Sequence, residues 1–326
     1  SVAYVGMCKF PEAIDEIAVA GGLVGSPINI VRCRTVDLLV PAEAEIVVEG
    51  VIDTEYLEPE APFGESHGYV NTQEFNGFME VTAITRRKNA VLMSYLSQVH
   101  PNETTGIRAV ELEYGFSRHL KEHLGIKGVL RVVTHRPLTG NRKIIFIVFE
   151  RHVPRTEIWR ALYGVMTQLR SGGKIIFALN DDIEPENLDS VLWAMAFRSS
   201  PHKDIEILKH QDRGHGPSGR KSLENDSSLL VDATLKEDFP PISLPKKEYM
   251  ERARAIWENM KLPELTPETP WYGYSLGEWP KELEQEAKRA VEGDYWITGE
   301  RQAQRRRSDV TMNTDVSEVN EVKGSD

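Results

Sequence analysis

The sequence predicts an α+β protein: a β-rich module, then a compact α/β module with helices packed on a sheet, then a Pro-rich helical tail. Three observations carry this. Short β-branched and aromatic runs fill the first hundred residues. From Thr104 onward apolar residues fall at helical spacing, and helices alternate with strands. Beyond Asp238, prolines recur at 240, 241, 245, 263, 267, 270 and 280. The expected modules are 1–103, 104–240 and 241–326, in keeping with a length of about two domains.

In the first module the runs 28–33, 46–51, 78–86 and 91–97 are expected strands, separated by Gly, Pro and Asn. Next, Ile107, Val110 and Tyr114 share one helical face, and 128–133 and 144–149 are apolar enough for buried strands. In 156–169, residues Ile158, Leu162, Val165, Met166 and Leu169 line one face of a helix that Gly172-Gly173 ends before a strand at 174–179. A helix over 186–197 and a strand near 205–208 complete the order, roughly βαββαβαβ. In the tail, Trp257, Trp271 and Trp279 need a surface to cover. The polar end containing Arg305-Arg306-Arg307 is expected to be solvated and disordered.

Composition narrows the function classes. With 40% hydrophobic and 27% charged residues the chain is globular rather than disordered throughout. Fifty acidic against 39 basic residues leave a net charge of −11, which repels a phosphate backbone and argues against nucleic acid as a partner. No apolar run reaches the ~18 residues of a membrane span. Cys8 and Cys33 are too few for a disulfide framework or a zinc cluster, so a reducing, cytoplasmic setting is expected. The chain opens Ser1-Val2-Ala3-Tyr4, which reads as the interior of something longer.

Among candidate sites, the segment from Glu58 to Tyr69 places Glu60 and Glu65 around a Pro62-Phe63-Gly64 turn, with His67 two residues beyond. Two carboxylates in different surroundings can divide acid and base roles, and glycines at 64 and 68 suit a backbone shaped for close approach. A solvated acidic turn is the plain alternative. Asp15-Glu16 precedes Ala20-Gly21-Gly22-Leu23, an arrangement that suits a hard divalent ion or simply an exposed helix end. Asp181-Asp182 stands where α/β folds place ligands, yet acids ahead of a helix also serve its dipole. Gly214-His215-Gly216-Pro217-Ser218-Gly219 matches the dinucleotide fingerprint by letter only, since Pro217 interrupts it; a glycine-flexible loop presenting His215 to a ligand is what remains. His119 and His123 have metal-ligand spacing but no third partner in sequence.

Read together, Glu60-Ala61-Pro62-Phe63-Gly64-Glu65, His67-Gly68-Tyr69, the run from Thr35 to Gly50, Ala20-Gly21-Gly22-Leu23, Asp181-Asp182-Ile183 and Val191-Leu192-Trp193-Ala194 resemble the UbiD family of prenylated-FMN-dependent, reversible (de)carboxylases. The resemblance implies that 1–103 is the remaining part of a split-barrel-like cofactor domain, 104–240 an α/β oligomerisation domain and 241–326 a helical extension. It implies Glu60 and Glu65 as the catalytic glutamates, with Glu65 the proton donor, and Glu16 as a ligand of Mn²⁺ at the cofactor phosphate; K⁺ is a further expected ion. Thr104 resembles a substrate-pocket residue, and His215 one that holds a phenolic oxygen. The stretch from Trp271 to Gly277 resembles members acting on hydroxylated benzoic acids, so the implied substrate is a small aromatic or α,β-unsaturated acid. The implied partners are further copies of this chain and a flavin prenyltransferase that supplies the cofactor. Family members typically carry more chain at the N-terminus, which supplies most of the flavin site, further metal ligands and an arginine between the two glutamates. The alternative is a non-catalytic assembly or regulatory subunit of such an enzyme.

Overall fold

A computed structural model describes residues 2–6, 8, 10, 13–70, 74–96, 98–137, 143–168, 173–211, 226–236, 239–240, 242–245, 247–264, 281–294 and 296–297. By internal contacts the chain divides into two units, Ser1–Glu237 with Leu265–Ser275, and Asp238–Glu264 with Leu276–Asp326. The fold is α+β.

In the first unit, α1 (Val2–Val5) and α2 (Glu16–Val24) precede a β-rich part built from three separate two-stranded antiparallel sheets. These pair β1 (Ile30–Arg32) with β2 (Leu39–Pro41), β3 (Ile46–Ile52) with β6 (Met79–Arg86), and β4 (Glu58–Glu60) with β5 (Glu74–Asn76). Among the described residues no sheet closes into a barrel. A bulge between Glu49 and Gly50 shifts the β3–β6 register, and Gly is required there because a Cβ would collide with the Glu80 carbonyl.

That bulge leaves Glu49 only 4% exposed, aimed at the β1–β2 connection. Its carboxylate accepts hydrogen bonds from the Arg34 amide (2.8 Å), the Thr35 amide (2.7 Å) and the Thr35 hydroxyl (2.8 Å). Thr35 Oγ1 in turn lies 2.6 Å from Thr82 Oγ1 on β6. One carboxylate thus joins two of the small sheets. The Arg34 amide, then the Thr35 amide, hold Glu49 below the usual carboxylate range.

The expected strand over 91–97 is a correction. Among its described residues none is in a strand, because the Val91 amide donates to the Glu45 carboxylate (3.1 Å) instead of to a neighbouring strand. Val91, Leu92, Met93 and Leu96 are left exposed.

The α/β part follows as α3 (Glu103–Arg118), a π-helical turn (His119–His123), β7 (Val129–Thr134), β8 (Ile144–Phe149), α4 (Arg155–Gln168), β9 (Ile175–Asn180), α5 (Leu188–Arg198), α6 (Pro201–Asp204), β10 (Ile205–Gln211) and β11 (Asp226–Asp232). The sheet order is β10-β11-β9-β8-β7; β8, β9 and β11 run parallel, with an antiparallel strand at each edge. Alternation sorts the side chains. Ile145, Ile147, Ile176 and Leu230 pack with Phe116, Leu120, Leu162 and Val165 from α3, the π-helical turn and α4. Phe146, Phe177, Leu179 and Val231 pack on the other face with Val191 and Ala194 of α5. Strand β11 was not expected, since its three apolar residues, Leu229, Leu230 and Val231, are too few to announce a strand. The three strands and two helices that were expected between 128 and 198 fall within two residues of their observed bounds.

The second unit contains α7 (Lys247–Asn259) and α8 (Lys281–Glu292). Trp257 donates from Nε1 to the Pro263 carbonyl at 2.6 Å, closing the chain back on α7. Trp271, Trp279 and the polar end lie outside the described residues.

Candidate functional site

Glu65 stands on a tight turn. Its carbonyl accepts from the Gly68 amide (2.9 Å), its own amide donates to the Tyr69 carbonyl (3.1 Å), and Gly64 bridges to Val70. Gly68 takes a φ of +88°, the left-handed conformation that glycine adopts without strain, and a Cβ there would lie 3.1 Å from Val99 Cγ2. The turn is therefore seated on the segment that leads into α3. Glu65 is half-buried, Ser66 is buried, and the Ser66 amide reaches the Glu65 carboxylate at 3.2 Å. His67 Nδ1 accepts from the Tyr69 amide at 3.3 Å, so it braces the turn from its own side.

Glu60 ends β4, where it pairs with Glu74, and its exposed carboxylate accepts from the Asn76 side chain. Strand pairing thus fixes one glutamate and a turn fixes the other, with Ala61-Pro62-Phe63 between them.

Thr104 is half-buried in the first turn of α3. Asn102 caps this helix: its Oδ1 accepts from the Thr105 amide (3.1 Å), while its Nδ2 donates to the Gln98 carbonyl (3.0 Å). A cleft of about 400 Å³ opens beside this helix start, lined by Ser94, Leu96, Gln98, Pro101, Asn102 and Glu103. Between the helix start and the Glu65 turn sits His100, 4% exposed. Burial pushes its pKa below the usual value, so the ring is neutral at pH 7. The sequence singled out Glu65 and Thr104 but not the buried His100 and Ser66; a histidine ahead of a proline and a helix cap carries no motif of its own.

Glu16 opens α2, exposed on the wall of a larger cleft of about 980 Å³ that Asp15, Gly22, Ile28, Ile30 and Leu39 also line. Asp15 is committed as the N-cap, accepting from the Ala18 amide at 2.9 Å, which leaves Glu16 the carboxylate turned to the cleft. Among the described residues no three His, Cys, Asp or Glu side chains come together to hold a metal ion. A divalent ion at Glu16 would find one hard oxygen ligand there and would need the rest from elsewhere.

Asp181 and Asp182 resolve to structure. Asp182 and Arg198, both buried, form a two-pronged ion pair at 3.0 and 2.6 Å, and Arg198 stacks 5.2 Å from the Trp193 ring centroid. His119 and His123 meet edge to face at 5.7 Å, with no metal cluster around them among the described residues. His215 lies outside the described residues.

An α/β sheet flanked by a β-rich part that carries a glutamate turn defines the class. Family models for the 3-octaprenyl-4-hydroxybenzoate carboxy-lyase match its two parts, the Rift-related domain over residues 1–99 and the C-terminal domain over residues 116–233. The chain belongs to the UbiD family, whose enzymes are carboxy-lyases. A protein of Archaeoglobus fulgidus described only as uncharacterized is 27% identical over 276 residues, 79% of this chain and 54% of its own. The UbiD-class enzyme HmfF from Pelotomaculum thermopropionicum, solved with FMN, is 25% identical with a TM-score of 0.64, over 78% of this chain and 56% of that one. An evolved dimeric form of it was solved with prFMN. The vanillic acid decarboxylase of Sedimentibacter hydroxybenzoicus shares the fold at 20% identity, with a TM-score of 0.62 over 80% of this chain and 56% of that one. The chain spans about half the length of the curated relatives it matches. No helix among the described residues is long and apolar enough to cross a membrane.

Proposed function

We propose that this chain carries the proton-donating part of a non-oxidative, reversible decarboxylase that uses prenylated FMN on an aromatic, hydroxylated benzoic or α,β-unsaturated acid. The observation that carries this reading is the seating of the Glu65 turn, with its half-buried carboxyl group, on Val99 of the segment that leads into α3. Membership of a carboxy-lyase family and likeness to a flavin-bound UbiD-class enzyme support it.

Loss of CO₂ from an sp² carbon leaves its electron pair in the ring plane, with no orbital of the ring to delocalise into. The bound flavin would supply the electron sink that no side chain offers. The chain's residues do the rest. Glu65 delivers a proton from its carboxyl group to the carbon that CO₂ has left, and solvent restores that proton afterwards. Thr104, in the first turn of α3 where the dipole is positive, holds the anionic end of the substrate. Glu60, fixed by β4, orients the arginine that longer members bring to the pair. His215 holds the phenolic oxygen. Glu16 would supply one carboxylate ligand to Mn²⁺, with K⁺ as a further ion of the bound cofactor. In this reading 1–103 belongs to the cofactor domain and 104–240 to the oligomerising domain, with 241–326 an extension; the protein works as a homo-oligomer in the cytoplasm and receives its flavin from a prenyltransferase.

A screen of hydroxybenzoates and cinnamic-type acids for CO₂ release, run on the full-length protein with reconstituted cofactor, tests this. Release from at least one of them is expected. No release from any, with the flavin demonstrably bound, would overturn the reading.

A further inference from the structure

His100 is a buried titratable side chain that the proposed mechanism leaves unused, and its place is unusual. It is 4% exposed, and neither ring nitrogen makes a hydrogen bond of full geometry. A buried polar pair in that condition is costly. Three features meet around it. The loop holding it is cinched at both ends, since Asn102 Nδ2 donates to the Gln98 carbonyl at 3.0 Å while Asn102 Oδ1 caps α3. The residue before it, Val99, is the surface on which Gly68 rests. The backbone of Ser66, the residue after Glu65, lies beside the ring and acts to favour its protonated form, against the larger effect of burial. The imidazole is thus wedged between the Glu65 turn and the start of α3, with both of its neighbours held by other bonds.

We propose that His100 is a positioning residue for Glu65: acting through the Ser66 backbone, its imidazole fixes the Glu65–Gly68 turn against the N-terminus of α3. This rests on Glu65 being the proton donor. In this role the ring touches neither substrate nor flavin. It sets the approach of the Glu65 carboxyl group to the reacting carbon.

Two variants separate this from simple packing. His100→Phe keeps an aromatic ring and loses the polar edge; His100→Gln keeps an N–H donor. Hydrogen exchange on the full protein should show the Glu65 and Gly68 amides opening several-fold faster in His100→Phe, the effect of losing the polar edge beside the Ser66 backbone, with β8 and β9 amides unchanged. His100→Gln should restore most of the protection. In the reconstituted enzyme His100→Phe should lower kcat at unchanged KM, and His100→Gln should recover it. Unchanged exchange at the turn in His100→Phe would overturn the proposal, as would equal losses in both variants. If His100→Phe does not fold, the same readouts on His100→Gln against His100→Leu decide it. Should the protein release no CO₂ at all, the exchange result still judges the docking of the turn, so failure of the enzyme reading and failure of the His100 role are told apart.

Discussion

Gly68 rests on Val99 so closely that a single added methyl group would lie 3.1 Å from Val99 Cγ2, on a backbone already at φ +88°. This contact ties the turn that carries Glu65 to the segment that starts α3. Gly68→Ala must either strain that backbone or lift the turn, and a residue held in such a conformation costs of order 1–3 kcal/mol. The expected outcome is a modest loss in chemical stability curves and a larger loss in turnover. Wild-type turnover in a folded Gly68→Ala variant would show that the contact does not position the turn.

Glu49 makes a pH prediction. Its pKa is lowered in the fold from an ordinary 4.5, first by the Arg34 amide and then by Thr35. A depressed carboxylate stabilises the fold above its unfolded pKa and loses that contribution as pH falls through the folded value. Acid unfolding of the wild type should therefore steepen below about pH 4.5, and Glu49→Gln should lower stability at pH 7 while flattening the acid limb. Parallel acid limbs in the two proteins would contradict this.

Arg198 and Asp182 are both buried and face each other through two hydrogen bonds. Arg198→Met leaves Asp182 buried without its ion-pair partner and should cost about 3–5 kcal/mol in urea unfolding. Replacing both by apolar residues should recover much of that. A loss under about 1 kcal/mol for the single variant would mean that water reaches the site.

At Glu16 the expectation concerns the cofactor rather than the fold, since the side chain is exposed and its neighbour Asp15 does the capping. Glu16→Ala should weaken Mn²⁺-dependent retention of flavin by at least about tenfold, because even outer-shell partners of a metal contribute that much. Flavin absorbance that survives gel filtration unchanged in this variant would remove Glu16 from the metal site.

Much of the α/β part was legible in the sequence because its signals are local. Ile144–Phe149 is apolar at every position, and α4 repeats its apolar residues at helical spacing. The places where reading failed depend on partners distant in sequence. β11 is a strand because it lies between β9 and β10, and Val91 is not in one because Glu45 captures its amide. Glu60, Glu65 and Thr104 stood out by motif and family likeness. The seating of Gly68 on Val99 and the burial of His100 depend on two segments that are about thirty residues apart meeting, which no spacing rule encodes. Glu49 offered a faint signal, a carboxylate amid the apolar residues of a strand, but its role as the junction of two sheets needed the fold to be seen.

The central claim is that Glu65 donates the proton. It is tested most directly by comparing Glu65→Gln with wild type in the full-length, flavin-reconstituted protein, following CO₂ release from an accepted acid. The account predicts a fall in turnover of roughly 10²–10⁴-fold, the usual share of a general acid, with flavin binding intact. Turnover within a few-fold of wild type would contradict it.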